Sequence, residues 1–383
     1  MASLEQLRGQ LDEIDGQIVN LYQRRMDICE QVGEYKINTG KKVFYKNRER
    51  EKLSAVSAGV TNEFYKKGIR ELFEQLMSMS RKLQYQLLTK RGALGRLPFI
   101  GVDKLETENT RIVFQGTEGA YSQAAMEKYF GKDINSFHVQ TFRDAMEAIE
   151  EGSADYAVLP IENSSTGGIT EVYDLLRQYD CSIVGEQCVK IEQNLLGCEG
   201  ASLSTIKTVY SHPQGLKQCA DFFHDYPDIE QVPYFSTSKS AEEVAEKHDI
   251  TLGAIAGKQA AELYNLKVIA PAINSNSNNY TRFVIIAKKP EIVANANKIT
   301  LIVAVKHETG SLYKMLASFY HMGLNMLNLE SRPIVGKTWE YFFYIDVTGN
   351  LADPLVIDVM EEIKSKSTYC KVLGNYRAYE RKE

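Results

Sequence analysis

The chain has 383 residues, 44% of them hydrophobic and 25% charged, with a formal net charge of −5. That length exceeds one ordinary core and predicts two or three globular domains. The mild acidity argues against a nucleic-acid partner, and no run approaches the ~20 apolar residues of a membrane span. The N-terminus lacks a signal peptide's apolar core, so a cytoplasmic protein is expected. The cysteines (Cys29, Cys181, Cys188, Cys198, Cys219 and Cys370) are scattered without a CxxC pair and read as reduced thiols.

In chain order, Leu4, Leu7, Leu11, Ile14, Ile18, Leu21, Ile28, Val32 and Tyr35 recur at spacings of three and four. They predict one long helix that ends at Asn38-Thr39-Gly40. At 1.5 Å per residue it is about 50 Å long, more than a ~90-residue domain covers alone, so a second copy is expected along it. A second helix is expected at roughly 46–57 and a third after Thr61, giving an all-helical domain over residues 1–90. Residues 91–110, with Gly92, Gly95, Pro98 and Gly101, read as linker.

Over 111–290 the period changes. Short runs such as Ile112–Phe114, Ala157–Ile161, Thr208–Tyr210 and Phe283–Ile286 alternate with helical segments at 121–130, 143–151 and 240–247. That is an α/β pattern, and two lobes around a cleft suit it. From residue 298 to 383 the order strand, helix, strand, strand, helix, strand predicts a compact α+β, ferredoxin-like unit.

Two cations interrupt the apolar face of the first helix. Arg25 lies between Leu21 and Ile28, and Lys36 follows 11 residues later, within about 20° of three whole turns. Ser80 and Gln84 share the apolar face of the third helix, and Arg48 and Glu49 open the second. Buried cations need a partner, either a bound anion between the helices or an internal salt bridge, with Glu49 as one choice.

In the α/β region, Gln115-Gly116-Thr117-Glu118-Gly119-Ala120-Tyr121-Ser122 is a glycine turn at a helix start. Its free N–H groups and the Ser122 hydroxyl suit a carboxylate, although such a turn alone reads first as structural, and it is not GxGxxG. Polar stretches follow at other strand ends: Pro160-Ile161-Glu162-Asn163-Ser164, Ser211-His212-Pro213-Gln214, Ser236-Thr237-Ser238 and Asn279-Tyr280-Thr281-Arg282-Phe283. His212, beside Pro213, reads as a turn residue, with a catalytic role as the alternative. No HExxH, Ser-His-Asp or Cys-His constellation occurs, so neither metal nor cofactor is expected.

Three resemblances follow from these residues. The set Leu7-Arg8, Arg25, Gly33 to Lys36, Arg48-Glu49, Ser80 and Gln84, over residues 4–90, resembles the all-helical chorismate mutases. This implies an intertwined dimer that rearranges chorismate to prephenate. Arg25, Arg48 and Arg8 of the partner subunit would hold the carboxylates with Ser80 assisting. Lys36 and Gln84 would donate to the breaking ether oxygen, and Glu49 would accept from the ring hydroxyl. Tyr45 stands where a member of that family has an aspartate near the hydroxyl. The separation of Arg8 from Arg25 agrees, since 17 residues leave them about 100° apart around the helix.

Residues 111–290 resemble prephenate dehydratase. The resemblance implies loss of carbon dioxide and hydroxide to give phenylpyruvate, with Thr281 protonating the leaving group. Ser122, Glu162, Asn163, Ser164, Ser211, Gln214, Arg282 and Phe283 would line or support the pocket, and Glu162 is the alternative acid. Residues 298–383 resemble an ACT domain of the phenylalanine-binding kind, on Gly310-Ser311-Leu312 and Glu330-Ser331-Arg332-Pro333. Together they imply a bifunctional, feedback-inhibited enzyme of phenylalanine biosynthesis, working as a homodimer or dimer-based oligomer. The competing readings are a two-lobed solute sensor without turnover, and a dehydratase whose helices only dimerise.

Overall fold

The structure, a computed structural model, describes residues 2–41, 43, 45–90 and 99–380. Three helices come first: α1 (Leu4–Thr39), α2 (Lys46–Ser57) and α3 (Glu63–Lys90). Next are β1 (Ile100–Val102), β2 (Arg111–Gln115), α4 (Tyr121–Phe130), β3 (Asn135–Val139), α5 (Phe142–Glu151), β4 (Tyr156–Asn163) and β5 (Gly167–Gly168). They lead to α6 (Thr170–Gln178), β6 (Ser182–Lys190), β7 (Asn194–Gly197), β8 (Thr208–Ser211), α7 (Pro213–Gln218), α8 (Ala220–Asp225) and β9 (Glu230–Pro233). Then come α9 (Thr237–Lys247), β10 (Leu252–Ala256), α10 (Lys258–Leu263), β11 (Lys267–Ala270), β12 (Tyr280–Ala287) and β13 (Glu291–Val293). The chain closes with β14 (Lys298–Ala304), α11 (Ser311–His321), β15 (Met326–Pro333), β16 (Tyr341–Thr348), α12 (Pro354–Lys366) and β17 (Tyr369–Tyr376).

The chain forms two units. One contains Met1–Leu97 with Ile302–Lys371, the other Pro98–Leu301 with Val372–Glu383. In the first unit, α1 opens on a capping box between Ser3 and Gln6 and stops at Gly40, whose φ of 65° suits glycine. The apolar seam does not face α3 as a single stripe. Arg25, Gly33 and Lys36 turn inward or lie half-buried, while Leu4 through Tyr35 of the seam stay exposed in the single chain. Gly33 sets the approach of α1 to α3: a Cβ there would lie 2.9 Å from Gln84 Cγ and 3.1 Å from Leu87 Cδ1. Gly33→Val is therefore expected to cost about 1–3 kcal/mol by overpacking, read as a lower thermal midpoint of the helical signal.

In the second unit two mixed sheets each carry a separate core. The first has order β3-β2-β4-β12-β6, with β5 beside β4, and packs around Ile112, Phe114, Met126, Val158, Phe283 and Ile285. The other has order β11-β7-β10-β8-β9 and buries Leu196, Val209, Ala254 and Ile255. The chain crosses between the sheets twice, at 191–193 and 271–279. These crossings are bonded to each other, Ile191 N to Asn279 O at 2.8 Å and Ile273 N to Gln193 O at 2.8 Å.

The expected linker needs correcting in part. Residues 91–98 lie outside those described, but β1 pairs in parallel with β13 and Leu105 is buried in the first core. Glycine- and proline-rich sequence hid a strand whose partner is far along the chain. The C-terminal elements form a sheet of order β15-β16-β14-β17. Strands β14 and β17 each run from one unit into the other.

Candidate functional site

Between α1 and α3 a small polar cluster interrupts apolar packing. Arg25 Nη1 donates to Ser80 Oγ at 2.5 Å and to Leu76 O at 3.0 Å. Lys36 Nζ donates to Gln84 Oε1 at 3.1 Å and to Val43 O at 2.7 Å, with Nζ 5.7 Å from the centre of the Tyr45 ring. Both cations thus bond neutral oxygens, and among the described residues neither pairs with a carboxylate, so of the two alternatives the internal salt bridge is not formed. Burial holds the Lys36 pKa below the usual lysine value, and the nearby Glu49 only partly offsets it.

Glu49 instead pairs with Arg81, a buried residue of α3 that the sequence reading missed. Its signal was present, since Met77, Ser80, Arg81 and Gln84 share one helical stripe. Arg48 is not brought to the cluster. It is exposed and meets Glu51 at 3.6 Å. Arg8 is exposed near the far end of α1.

In the second unit a cavity of 660 Å³ opens between the two sheets. Ser122, Asn163, Gln214, Thr281 and Phe283 line it, together with the Gly116 turn, Gly167-Gly168 and Ser236 to Ser238. Its geometry centres on Asn163, whose Nδ2 donates to Thr281 Oγ1 at 2.9 Å and to Asn279 Oδ1 at 2.8 Å. Asn163 Oδ1 accepts from Ser165 N at 2.9 Å and Thr166 N at 3.1 Å. Thr281 therefore accepts at its oxygen and keeps its proton for another partner.

The helices α4 and α9 start at the cavity wall, presenting N-terminal N–H groups. No lysine or arginine is among the residues lining it. Gly119, with φ of 76°, brings the first turn against α9: a Cβ there would lie 3.0 Å from Ser238 Oγ.

Four expected pocket residues stand elsewhere. Arg282 faces away from Thr281 and is held by Glu162 Oε2 at 2.9 Å and Glu186 Oε2 at 3.3 Å. This pairing also engages Glu162, the alternative acid. Ser211 is buried and donates to Ile255 O at 2.9 Å. Ser164 pins the loop, donating to Asn278 O and accepting from Tyr280 N, both at 2.9 Å.

His212 caps α7, its Nδ1 accepting from Gln214 N at 3.2 Å, and burial lowers its pKa. His212 also lines the 660 Å³ cavity. Gln193 and Gln218, bonded to each other at 3.1 Å, also line the cavity and were missed.

Another cavity, of 410 Å³, is lined by Ser311, Leu312, His307, Trp339, Tyr341 and Phe343, among others. Gly310 caps α11 with φ of 79° beside it. Glu330, Ser331, Arg332 and Pro333 lie on β15, at the sheet edge, and do not line this cavity. Among the described residues no group of three or more His, Cys, Asp or Glu is placed to hold a metal ion. No described helix is long and apolar enough to cross a membrane.

Known proteins match along the same lines. The family described as chorismate mutase type II matches residues 7–85, and prephenate dehydratase matches residues 112–291. The bifunctional chorismate mutase/prephenate dehydratase of Escherichia coli K12 is 33% identical over 97% of this chain and 95% of its own length. A crystal structure of prephenate dehydratase from Arthrobacter aurescens in complex with L-Phe is 30% identical. It covers 70% of this chain and 90% of its own, with a TM-score of 0.65. A structure of GqqA, described as a quorum quenching acylase, covers 70% of this chain and 98% of its own at 30% identity and a TM-score of 0.64. Since one fold carries differently described activities, the site must decide between them. With two family matches in tandem and near full-length similarity, the chain belongs to the bifunctional chorismate mutase/prephenate dehydratases, enzymes with a mutase and a dehydratase on one polypeptide.

Proposed function

We propose that residues 1–90 rearrange chorismate to prephenate and residues 111–290 convert prephenate to phenylpyruvate, while residues 298–383 sense phenylalanine. For the first step, a pericyclic rearrangement needs no nucleophile or metal. It needs a compact conformer and donors at the ether oxygen as negative charge grows there. Lys36 and Gln84 supply the donors, and Arg25 with Ser80 holds a carboxylate. The exposed seam of α1 supports a dimer in which a second copy covers it and Arg8 of the partner subunit completes the carboxylate set. Arg48 joins by leaving Glu51, an exposed pair that solvent screens.

For the second step, the observation that carries the reading is Thr281 fixed by Asn163 at 2.9 Å in the cavity wall. The Thr281 proton passes to the departing hydroxyl, which leaves as water. The ring carboxylate leaves as carbon dioxide, its bonding pair completes the aromatic ring, and solvent returns a proton to Thr281. Prephenate's carboxylates meet the helix N-termini of α4 and α9 rather than side-chain cations. A purified sample fed prephenate should yield phenylpyruvate; no product would favour the solute-sensor alternative.

The C-terminal order βαββαβ, with β17-β14-β16-β15 as the sheet, is that of a ferredoxin-like unit. We read it as an ACT domain whose ligand sits at the 410 Å³ cavity, its carboxylate at the start of α11. The L-Phe complex of the Arthrobacter relative supports phenylalanine as that ligand. Calorimetry should detect phenylalanine binding below millimolar concentration. Gly310→Ala should weaken it severalfold, because φ of 79° strains any side-chain-bearing residue. No heat in the parent chain would refute the sensor. We place the enzyme in the cytoplasm, a reducing compartment that suits its scattered cysteines.

A further inference from the structure

The mutase-like cluster and the C-terminal helices belong to one unit, and one buried side chain joins them. Arg81 on α3 lies between Ser80 and Gln84 in sequence, yet its guanidinium turns away from both toward two carboxylates. Nη1 meets Glu49 Oε1 on α2, and Nη2 meets Glu362 Oε2 on α12 at 2.8 Å. The Arg81 side chain is 8% exposed and that of Glu362 is 4% exposed. Glu362 Oε1 in turn accepts from Ser318 Oγ of α11 at 3.0 Å and from Lys366 Nζ at 2.6 Å. A continuous bonded path therefore runs from α11, whose first residues line the 410 Å³ cavity, through Glu362 and Arg81 to Glu49.

Two facts make this more than a structural ion pair. Burying a guanidinium is costly, and the rigid two-armed fork of arginine fixes both partners at once, which a lysine does not. Arg81 also engages only one oxygen of Glu49. Among the described residues none hydrogen-bonds Glu49 Oε2, which leaves that oxygen to a hydroxyl. We infer that Arg81 is a positioning residue of the mutase: it orients Glu49 toward the ring hydroxyl of chorismate and is itself held in place by Glu362 on the C-terminal domain. This rests on the reading of Glu49 as a mutase site residue.

A lost or misaimed Glu49 removes a contact made in ground and transition state alike, so it raises KM while kcat holds. A merely structural role would instead reduce the amount of active enzyme, lowering apparent kcat at unchanged KM. The experiment uses the full chain and compares Glu49→Gln, Glu362→Gln, their double variant and Arg81→Lys, with chorismate and prephenate assayed separately and no phenylalanine present. Glu362→Gln keeps the side-chain volume, and Arg81→Lys keeps the charge but has one arm, so either can report if the other folds poorly.

Glu362→Gln and Arg81→Lys should each raise the KM for chorismate roughly tenfold, the scale of one charge-assisted hydrogen bond. Dehydratase kinetics should not change. The double variant should be no worse than Glu49→Gln alone, as expected of groups acting in series. If Glu49→Gln raises KM while Glu362→Gln and Arg81→Lys both match the parent, the positioning role is overturned and the site reading stands. If Glu49→Gln itself leaves the mutase unchanged, the site reading fails and this inference falls with it. Equal loss of both activities in Glu362→Gln and Arg81→Lys would mark a folding defect and also overturn it.

Discussion

Thr281→Ala is expected to cut phenylpyruvate formation by ~10²–10⁴-fold, the usual worth of a positioned proton donor, while chorismate still rearranges at its normal rate. The expectation comes from the bonding at Oγ1. Asn163 Nδ2 already occupies an acceptor position at 2.9 Å, which orients the hydroxyl before substrate arrives. Asn163→Ala should therefore impair the same step by loosening Thr281, without removing the acid. Thr281→Ser keeps the hydroxyl and should retain much more activity than Thr281→Ala. Near-normal turnover in Thr281→Ala would move the acid to another group. Glu162 is poorly placed to take over, because the Arg282 guanidinium holds its carboxylate at 2.9 Å.

The mutase offers the second large effect. Lys36→Ala should lower chorismate turnover by roughly 10²–10³-fold, the scale of a removed oxyanion donor, with dehydratase activity preserved. The charge of Lys36 also sets a pH dependence. Only the protonated amine carries positive charge to the ether oxygen, and burial makes that form easier to lose than in an ordinary lysine. Mutase kcat should thus fall on the alkaline side at a pH below the usual lysine value, while the acidic side is unaffected by this group. A flat alkaline profile, or parallel loss of both activities in Lys36→Ala, would remove Lys36 from the reaction.

Local signals in the sequence were read reliably. The glycine stop at Gly40, the helix over Ser311–His321 and the strand around Phe283 each follow from a few neighbouring residues. The position of Arg282 is also legible. Strand alternation puts Thr281 and Phe283 on one face and Arg282 on the other, so the three do not face one ligand. What stayed hidden depends on distant partners. Arg81 looks like one more surface cation until Glu362, 281 residues away, is placed beside it.

The C-terminal boundary at residue 298 was hidden for the same reason. Lys298 is buried against Glu186 at 2.8 Å, and Tyr379 N donates to the same carboxylate at 2.9 Å. A cut at 298 would strip Glu186 of two of its partners, the third being Arg282. Single substitutions at the sensor are therefore a cleaner probe than truncation.

The paired crossings at 191–193 and 271–279 have a mechanical consequence. Two segments bonded side by side and joining two separately packed sheets make a natural axle, and points near an axle travel least when the sheets rotate. Thr281 is two residues beyond the second crossing, and the starts of α4 and α9 belong to opposite sheets, with Tyr121 of α4 tied to the first crossing by its hydrogen bond to Glu192 O at 2.7 Å. Rotation would part the starts of α4 and α9, which meet through Ser238 Oγ and Glu118 O, while Thr281 hardly shifted. Under the proposed function this separates grip from chemistry: substrate and product exchange would be tuned by how far the two sheets swing, without disturbing the Thr281 hydroxyl.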